Sequence, residues 1–232
     1  MTKHVLARLW CWWHCRSLRR RYSDMEHFSE CAIAPIPGAV KIMTEGWFWA
    51  TPQWLRYVAA KGGVLDVHVG TANLVVRLGP EPEIWARVRH GHQADIRAAQ
   101  HRGMRVERSI APGDFAVYER LHRGPAELPR DQRTYDLMWS FLNDGHARLY
   151  LAYEEKWIGA ALFFVHEKGS YYASVARCAD SPRGTGHLLL WVAMRDLARE
   201  GYQWMDLGPA GAATEKQESI EHFKRGFGAE TI

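Results

Sequence analysis

The chain has 232 residues, which suits one large domain or two small ones, and its 47% hydrophobic content supplies a sizeable core. With 30 basic and 26 acidic residues the net charge is only +4, so basic character counts where it clusters and says little as a total. The four cysteines are too few for a disulfide framework and favour a reducing cytoplasm, and no apolar run reaches the roughly 18 residues of a spanning helix.

Residues 1–45 read as a leader and irregular entry. Leu9-Trp10-Cys11-Trp12-Trp13 is followed by Arg16-Ser17-Leu18-Arg19-Arg20-Arg21, so the charges come after the apolar stretch and no small-residue cleavage site follows, unlike a secretory peptide. Two readings stay open: a packed or loosely ordered amphipathic leader, or a peripheral contact with an anionic membrane. Cys11-x3-Cys15 with His14 between them has no second pair at zinc-finger spacing, and no metal is expected.

Thr51-Pro52 marks a helix start, ended by Gly62-Gly63. Val64 to Gly70 and Ala72 to Leu78 are β-branched runs around a Gly-Thr pair, which predicts a hairpin or two neighbouring strands, the stronger being Asn73 to Leu78. Helical spacing continues from Glu83 to His101, with a break expected at Gly91 and a stop at Gly103. This segment begins a basic cluster of Arg87, Arg89, Arg97, Arg102, Arg105 and Arg108, which suits either phosphate or a solvated face. Short helices follow at Val117 to Leu121 and Tyr135 to Leu142.

At Ala147 the pattern changes to strands. Arg148 to Tyr153, Trp157 to Val165 and Ser170 to Arg177 are parted by short polar breaks and predict an antiparallel meander. A glycine loop, Ser181-Pro182-Arg183-Gly184-Thr185-Gly186, leads into an amphipathic helix from His187 to Arg199. A strand from Trp204 to Leu207 and a last helix near Lys216 to Lys224 complete the chain.

This order over residues 147–232 resembles the core of the GNAT acyltransferase superfamily. Finer matches resemble the FemAB-like family of peptidoglycan-bridge aminoacyltransferases and their relatives. They are Glu83-Ile84-Trp85 with the segment from Ile96 to Val106, then Ile158-Gly159-Ala160-Ala161-Leu162-Phe163 and Tyr171-Tyr172. Met205-Asp206-Leu207-Gly208 and Phe223-Lys224-Arg225-Gly226-Phe227-Gly228 follow in the same order. The resemblance implies an α+β fold with a mixed, mainly antiparallel sheet flanked by helices. It also implies a partial first GNAT-like half over 46–146, carrying the basic helix, before a complete core over 147–232.

The activity implied is transfer of an aminoacyl group from charged tRNA, or an acyl group from coenzyme A, to an acceptor amine of a cell-wall precursor or small metabolite. Neither donor would be a tightly bound cofactor. Such reactions pass through a tetrahedral oxyanion, which needs preorganised donors. By resemblance these are a backbone N–H near Phe223 and the cation of Lys224; without it, Phe223 and Phe227 anchor an amphipathic helix and Lys224 faces solvent. Arg97 suits phosphate through its guanidinium fork, or a surface ion pair with Asp95 or Glu107. Arg130, Arg133 and Tyr135 fall where the family's acceptor-binding Arg and Tyr lie, and Tyr172 resembles its Tyr on the strand facing the acceptor. Gly184 and Gly186 suit a pyrophosphate cradle or an ordinary turn. Asp206 is a candidate general base or a hydrogen-bonding strand-end residue. Two readings stand beside the aminoacyltransferase: an acyl-CoA-dependent N-acetyltransferase, and a non-catalytic RNA-binding protein on the same fold.

Overall fold

The computed structural model describes residues 73–124, 132–166, 168–212 and 214–231, together with four two-residue strands at Cys31–Ala32, Val40–Lys41, Gly63–Val64 and Asp66–Val67. The expected leader motifs and the helix at 51–62 lie outside the described residues.

Seven strands form one sheet. In chain order they are β1 (Asn73–Arg77), β2 (Arg105–Ser109), β3 (Ala147–Glu154), β4 (Lys156–His166), β5 (Gly169–Arg177), β6 (Trp204–Pro209) and β7 (Glu230–Thr231). Their order across the sheet is β7-β1-β6-β5-β4-β3-β2, with every pair antiparallel except β5 and β6. The sheet takes strands from both sides of residue 147, so β1 and β2 extend the meander of β3 to β5 rather than forming a separate layer.

The β3-β4-β5 meander appears where β-branched and aromatic residues predict it. The tight β3–β4 turn puts Glu155 at φ +60, a left-handed conformation rarely adopted by a side chain of this size. Among the described residues, the two runs predicted at 64–70 and 72–78 as a hairpin or neighbouring strands do not pair with each other. β1 pairs instead with β6 and β7, while Asp66–Val67 pairs with Cys31–Ala32. Burial decides this: Asn73, Leu74, Val75 and Val76 are all inside, and only a central position in the large sheet covers both faces of such a strand.

Helices α1 (Glu81–Arg87) and α2 (His90–His101) arise from the predicted long segment, and the break falls at Val88-Arg89, just before Gly91. Helices α3 (Pro112–Arg123) and α4 (Gln132–Asn143) extend both predicted short helices. Helix α5 (Thr185–Arg199) is apolar nearly all round because it is a middle layer: its inner face lies on the sheet and its outer face meets α1 and α2. The other sheet face carries α3 and α4 over a second core containing Tyr118, Tyr135, Phe141 and Phe164. Helix α6 (Glu215–Arg225) has no fully buried residue, and its C-terminal end, followed by buried Phe227, anchors it.

Candidate functional site

Strand β6 runs parallel to β5 through Trp204↔Gly169, Met205↔Ser170 and Asp206↔Tyr171, and there the ladder stops. β5 continues to Arg177, while β6 shifts register and meets Asn73 of β1 at Pro209. Among the described residues, 172–177 therefore have no strand partner on the β6 side, and their backbone polar groups on this edge need water or a ligand. On the opposite edge β5 carries a bulge: Phe163 pairs with Tyr172 and Leu162 with Ser174, so Ala173 is the extra residue. An opening between two parallel strands, beside a bulge, is the geometric centre of the site.

Asp206 lies at the base of this opening and is fully buried. Its Oδ2 accepts from Asn73 Nδ2 at 2.9 Å and its Oδ1 accepts from the Gly208 N–H at 2.7 Å, across a turn in which Gly208 has φ +88. Both carboxylate oxygens brace the end of β6.

The two glycines before α5 have different tasks. Gly184 caps the helix at φ +93, and a Cβ there would fall 2.6 Å from the Asp95 carbonyl oxygen and 3.2 Å from Ala99 Cβ, so only glycine lets α5 approach α2 this closely. A Cβ on Gly186 would lie 3.9 Å from both Arg177 Cδ and Phe223 Cζ, an ordinary contact distance. Gly186, Arg177 and Phe223 thus meet at the first turn of α5. Arg177 is exposed, and no carboxylate among the described residues pairs with it. A helix N-terminus beside an arginine with no carboxylate partner among the described residues is electrostatically suited to an anion.

The Phe223-Lys224-Arg225-Gly226-Phe227-Gly228 segment is clamped by the α1–α2 corner. His92 Nε2 donates to the Phe223 carbonyl at 2.9 Å, which fixes its tautomer and leaves Nδ1 to accept from Arg89 Nη2 at 3.5 Å. The Arg89 N–H donates to the Gly226 carbonyl at 2.8 Å. A Cβ on Gly226 would fall 2.1 Å from His92 Nε2, and one on Gly228 would lie 2.8 Å from Arg87 Cβ. The His187 ring packs edge-on to His92 at 4.4 Å and to Phe223 at 4.9 Å, and its Nε2 is 3.6 Å from Asp95 Oδ2. Burial lowers the pKa of both imidazoles. That of His187 is brought down to about 4, with His92, Arg177 and Arg183 adding to the effect of burial and Asp95 opposing it. Both are neutral near pH 7.

Of the expected site residues, Gly186 and Phe223 come together, with half-buried Lys224 next to Phe223. Phe223 is nine residues into α6, where the helix uses N–H groups in its own ladder, so Phe223 offers its ring and its carbonyl. Tyr172 is half-buried with its ring stacked on Phe163 at 5.2 Å. Burial raises its phenol pKa and nearby Arg177 pulls it back, so it stays a neutral hydroxyl.

Arg97 lies elsewhere, about 140° around α2 from His92. It is exposed, and its guanidinium covers the Trp85 ring at 5.2 Å. Tyr135 is fully buried beneath α3, hydrogen-bonded through its hydroxyl to His122 Nδ1 at 2.8 Å, with Arg123 over its ring. Arg130 and the Arg133 side chain lie outside the described residues. Of the α2 histidines only His92 is buried, and no group of three or more His, Cys, Asp or Glu among the described residues is arranged to hold a metal ion. Sequence reasoning missed Arg177, His187 and the bulge. The first could have been found at the end of its strand, whereas the others depend on contacts between distant segments.

No family model and no curated protein matches this sequence. Among solved structures, FemX aligns with a TM-score of 0.60 at 15% identity, covering 69% of this chain and 59% of that one. A conserved protein of unknown function from Bacteroides thetaiotaomicron aligns at 0.53 with 7% identity, covering 70% and 57%. The C-terminal domain of a chain described as a lysylphosphatidylglycerol synthetase from Agrobacterium fabrum aligns at 0.50 with 17% identity, covering 69% and 57%. The chain therefore spans less than two thirds of each of these proteins. No helix among the described residues is long and apolar enough to cross a membrane. At such identities the kinship is one of fold, and that fold is GNAT-like: an α+β architecture on a mixed, mostly antiparallel seven-stranded sheet.

Proposed function

We propose that this chain is a GNAT-fold acyltransferase of FemAB-like type, moving an aminoacyl or acyl group to an acceptor amine. The observation that carries this reading is the opening of β5 from β6 after Tyr171 and Asp206, with a bulge at Ala173 on one side and Gly186, Arg177 and Phe223 at its mouth. In this reading, donor phosphate approaches the first turn of α5 and Arg177. Backbone N–H groups of β5 past the end of the ladder meet the oxyanion formed when the amine attacks the carbonyl, and Lys224 supplies a cation. Asp206 keeps the end of β6 in place. The acceptor, in keeping with the family resemblance, is an amine of a cell-wall precursor or small metabolite.

Charged tRNA is the donor favoured by the ordered FemAB-like motifs. Acyl-CoA is the second reading, carried by the open surface of Gly186 beside Arg177. Purified protein is to be offered alanyl-tRNA and acetyl-CoA separately, with an amine panel and hydroxylamine as generic acceptor. Lys224→Ala should lower transfer by about 100-fold while the melting profile is retained. Unchanged turnover would remove Lys224 from the chemistry. Salt-dependent RNA binding without product from either donor would favour the RNA-binding alternative.

A further inference from the structure

The bulge in β5 also determines which side chains face α3 and α4. In a regular strand successive side chains alternate between faces. Because Ala173 is the extra residue, Ala173 and Ser174 both turn toward α3 and α4: Ala173 packs against that core, and Ser174 stands opposite Leu162, a member of it. Without the bulge Ser174 would face α5. Instead, Tyr172 and Val175 stand opposite Phe163 and Ala161 of the α5-side core, and Arg177 opposite Gly159 faces the same way. Tyr172, Val175 and Arg177 thus share the α5 face, and Ser174, like Tyr171 before it, turns to the other.

Ser174 is bonded to a buried partner. Its Oγ lies 2.5 Å from the Tyr118 hydroxyl, and Tyr118 is fully buried, with rings of Phe115 at 5.5 Å and Tyr135 at 6.4 Å and its hydroxyl 3.6 Å from Met138 Sδ. Ser174 itself is half-buried. A buried phenol, bonded to a half-buried serine three residues beyond the last β5–β6 pair, fixes where that hydroxyl stands beside the opening. A hydroxyl has two lone pairs and one proton, so Ser174 can engage Tyr118 and still accept from an N–H.

Building on the transferase reading above, we infer that Ser174 contacts the acceptor, accepting a hydrogen bond from its attacking amine on the face opposite the donor, and that Tyr118 is its positioning residue. No bond to Ser174 forms and no proton transfers to it; its task is to aim the nitrogen lone pair at the donor carbonyl.

The test uses the full chain, the donor that supports turnover, and two probe acceptors, L-lysine and hydroxylamine. Ser174→Ala should raise acceptor KM about 10-fold with donor KM within about twofold, Tyr118→Phe should raise it about threefold, and Ser174→Thr, which keeps the hydroxyl, should recover most of the loss. Thermal melts identify any variant that fails to fold, and Ser174→Thr against Ser174→Ala then decides the matter. Acceptor KM unchanged in folded Ser174→Ala, or a donor KM that rises equally, overturns this inference while leaving the transferase intact. Wild-type protein that transfers from neither donor to either amine overturns both.

Discussion

The chain contains two Gly-x-Gly motifs with identical spacing, Gly184-x-Gly186 at the start of α5 and Gly226-x-Gly228 after the end of α6. In the second, both glycines are spent on packing, Gly226 against the His92 ring and Gly228 against Arg87. In the first, Gly184 is spent in the same way against α2, whereas the position of Gly186 would accept a side chain at ordinary contact distance. Of these four glycines three therefore serve the scaffold, and Gly186 alone is open at the phosphate-cradle position. The α1–α2 corner is the common partner that brings both motifs to one place.

The sharpest break in this comparison is Gly184→Ala. The backbone conformation at φ +93 disfavours a Cβ, and the Asp95 carbonyl it would strike belongs to a helix backbone. We expect a loss of about 4 kcal/mol, combining left-handed strain with overpacking, read as a lower midpoint in urea. A loss under about 1 kcal/mol would mean that α2 can yield here.

Acid should loosen the clamp next. His187 has a folded pKa near 4 against an ordinary value of 6.5, so between these values the unfolded chain binds more protons and stability falls as pH falls. The contribution is complete above about pH 6.5 and gone below about pH 4, roughly 3 kcal/mol in all, with lowered His92 adding in the same direction. The groups facing this pair are Arg89, Asp95, His222, Arg177 and Arg183. Melting temperature measured from pH 7 to pH 4 should drop, and His187→Phe should flatten that slope.

Gly226→Ala is expected to cost about 2 kcal/mol, less than Gly184→Ala, because the obstacle is a side-chain ring that can swing away at the loss of its bond to the Phe223 carbonyl. Combined with His92→Ala the cost should shrink by at least about 1 kcal/mol in a double-mutant cycle. Additive losses would show that His92 is not what Gly226 accommodates.

Much of the scaffold was legible in the sequence because its signals are local. The β3-β4-β5 meander follows from alternating β-branched and aromatic residues, and α5 from its apolar period. β2 escaped because Arg105–Ser109 is a largely exposed, charged edge strand with little apolar alternation. The pairing expected within 64–78 gives way because β1 finds its partner in β6, with Asn73 and Asp206 separated by 133 positions. The site divides in the same way. Phe223 and Gly186 could be singled out by motif, but the bulge at Ala173 carries no glycine or proline marker, and the seat of His92 on Gly226 exists only after α2 and α6 meet.

The smallest expected effect is the one that separates site from scaffold. Gly186 lies in the first turn of α5 with a backbone that alanine accepts, and its new methyl would find only ordinary contacts with Arg177 and Phe223. Alanine is the better helix former by about 1 kcal/mol, so Gly186→Ala should leave the melting temperature unchanged or slightly raised. The same methyl stands between the α5 N-terminus and Arg177, where close backbone approach by an anionic donor matters. Titration with acetyl-CoA and with charged tRNA should show affinity for the productive donor falling about fivefold, at constant stability. If Gly186→Ala instead destabilises the chain as Gly184→Ala does, the two glycines share a packing role and the anion-binding reading of this turn fails.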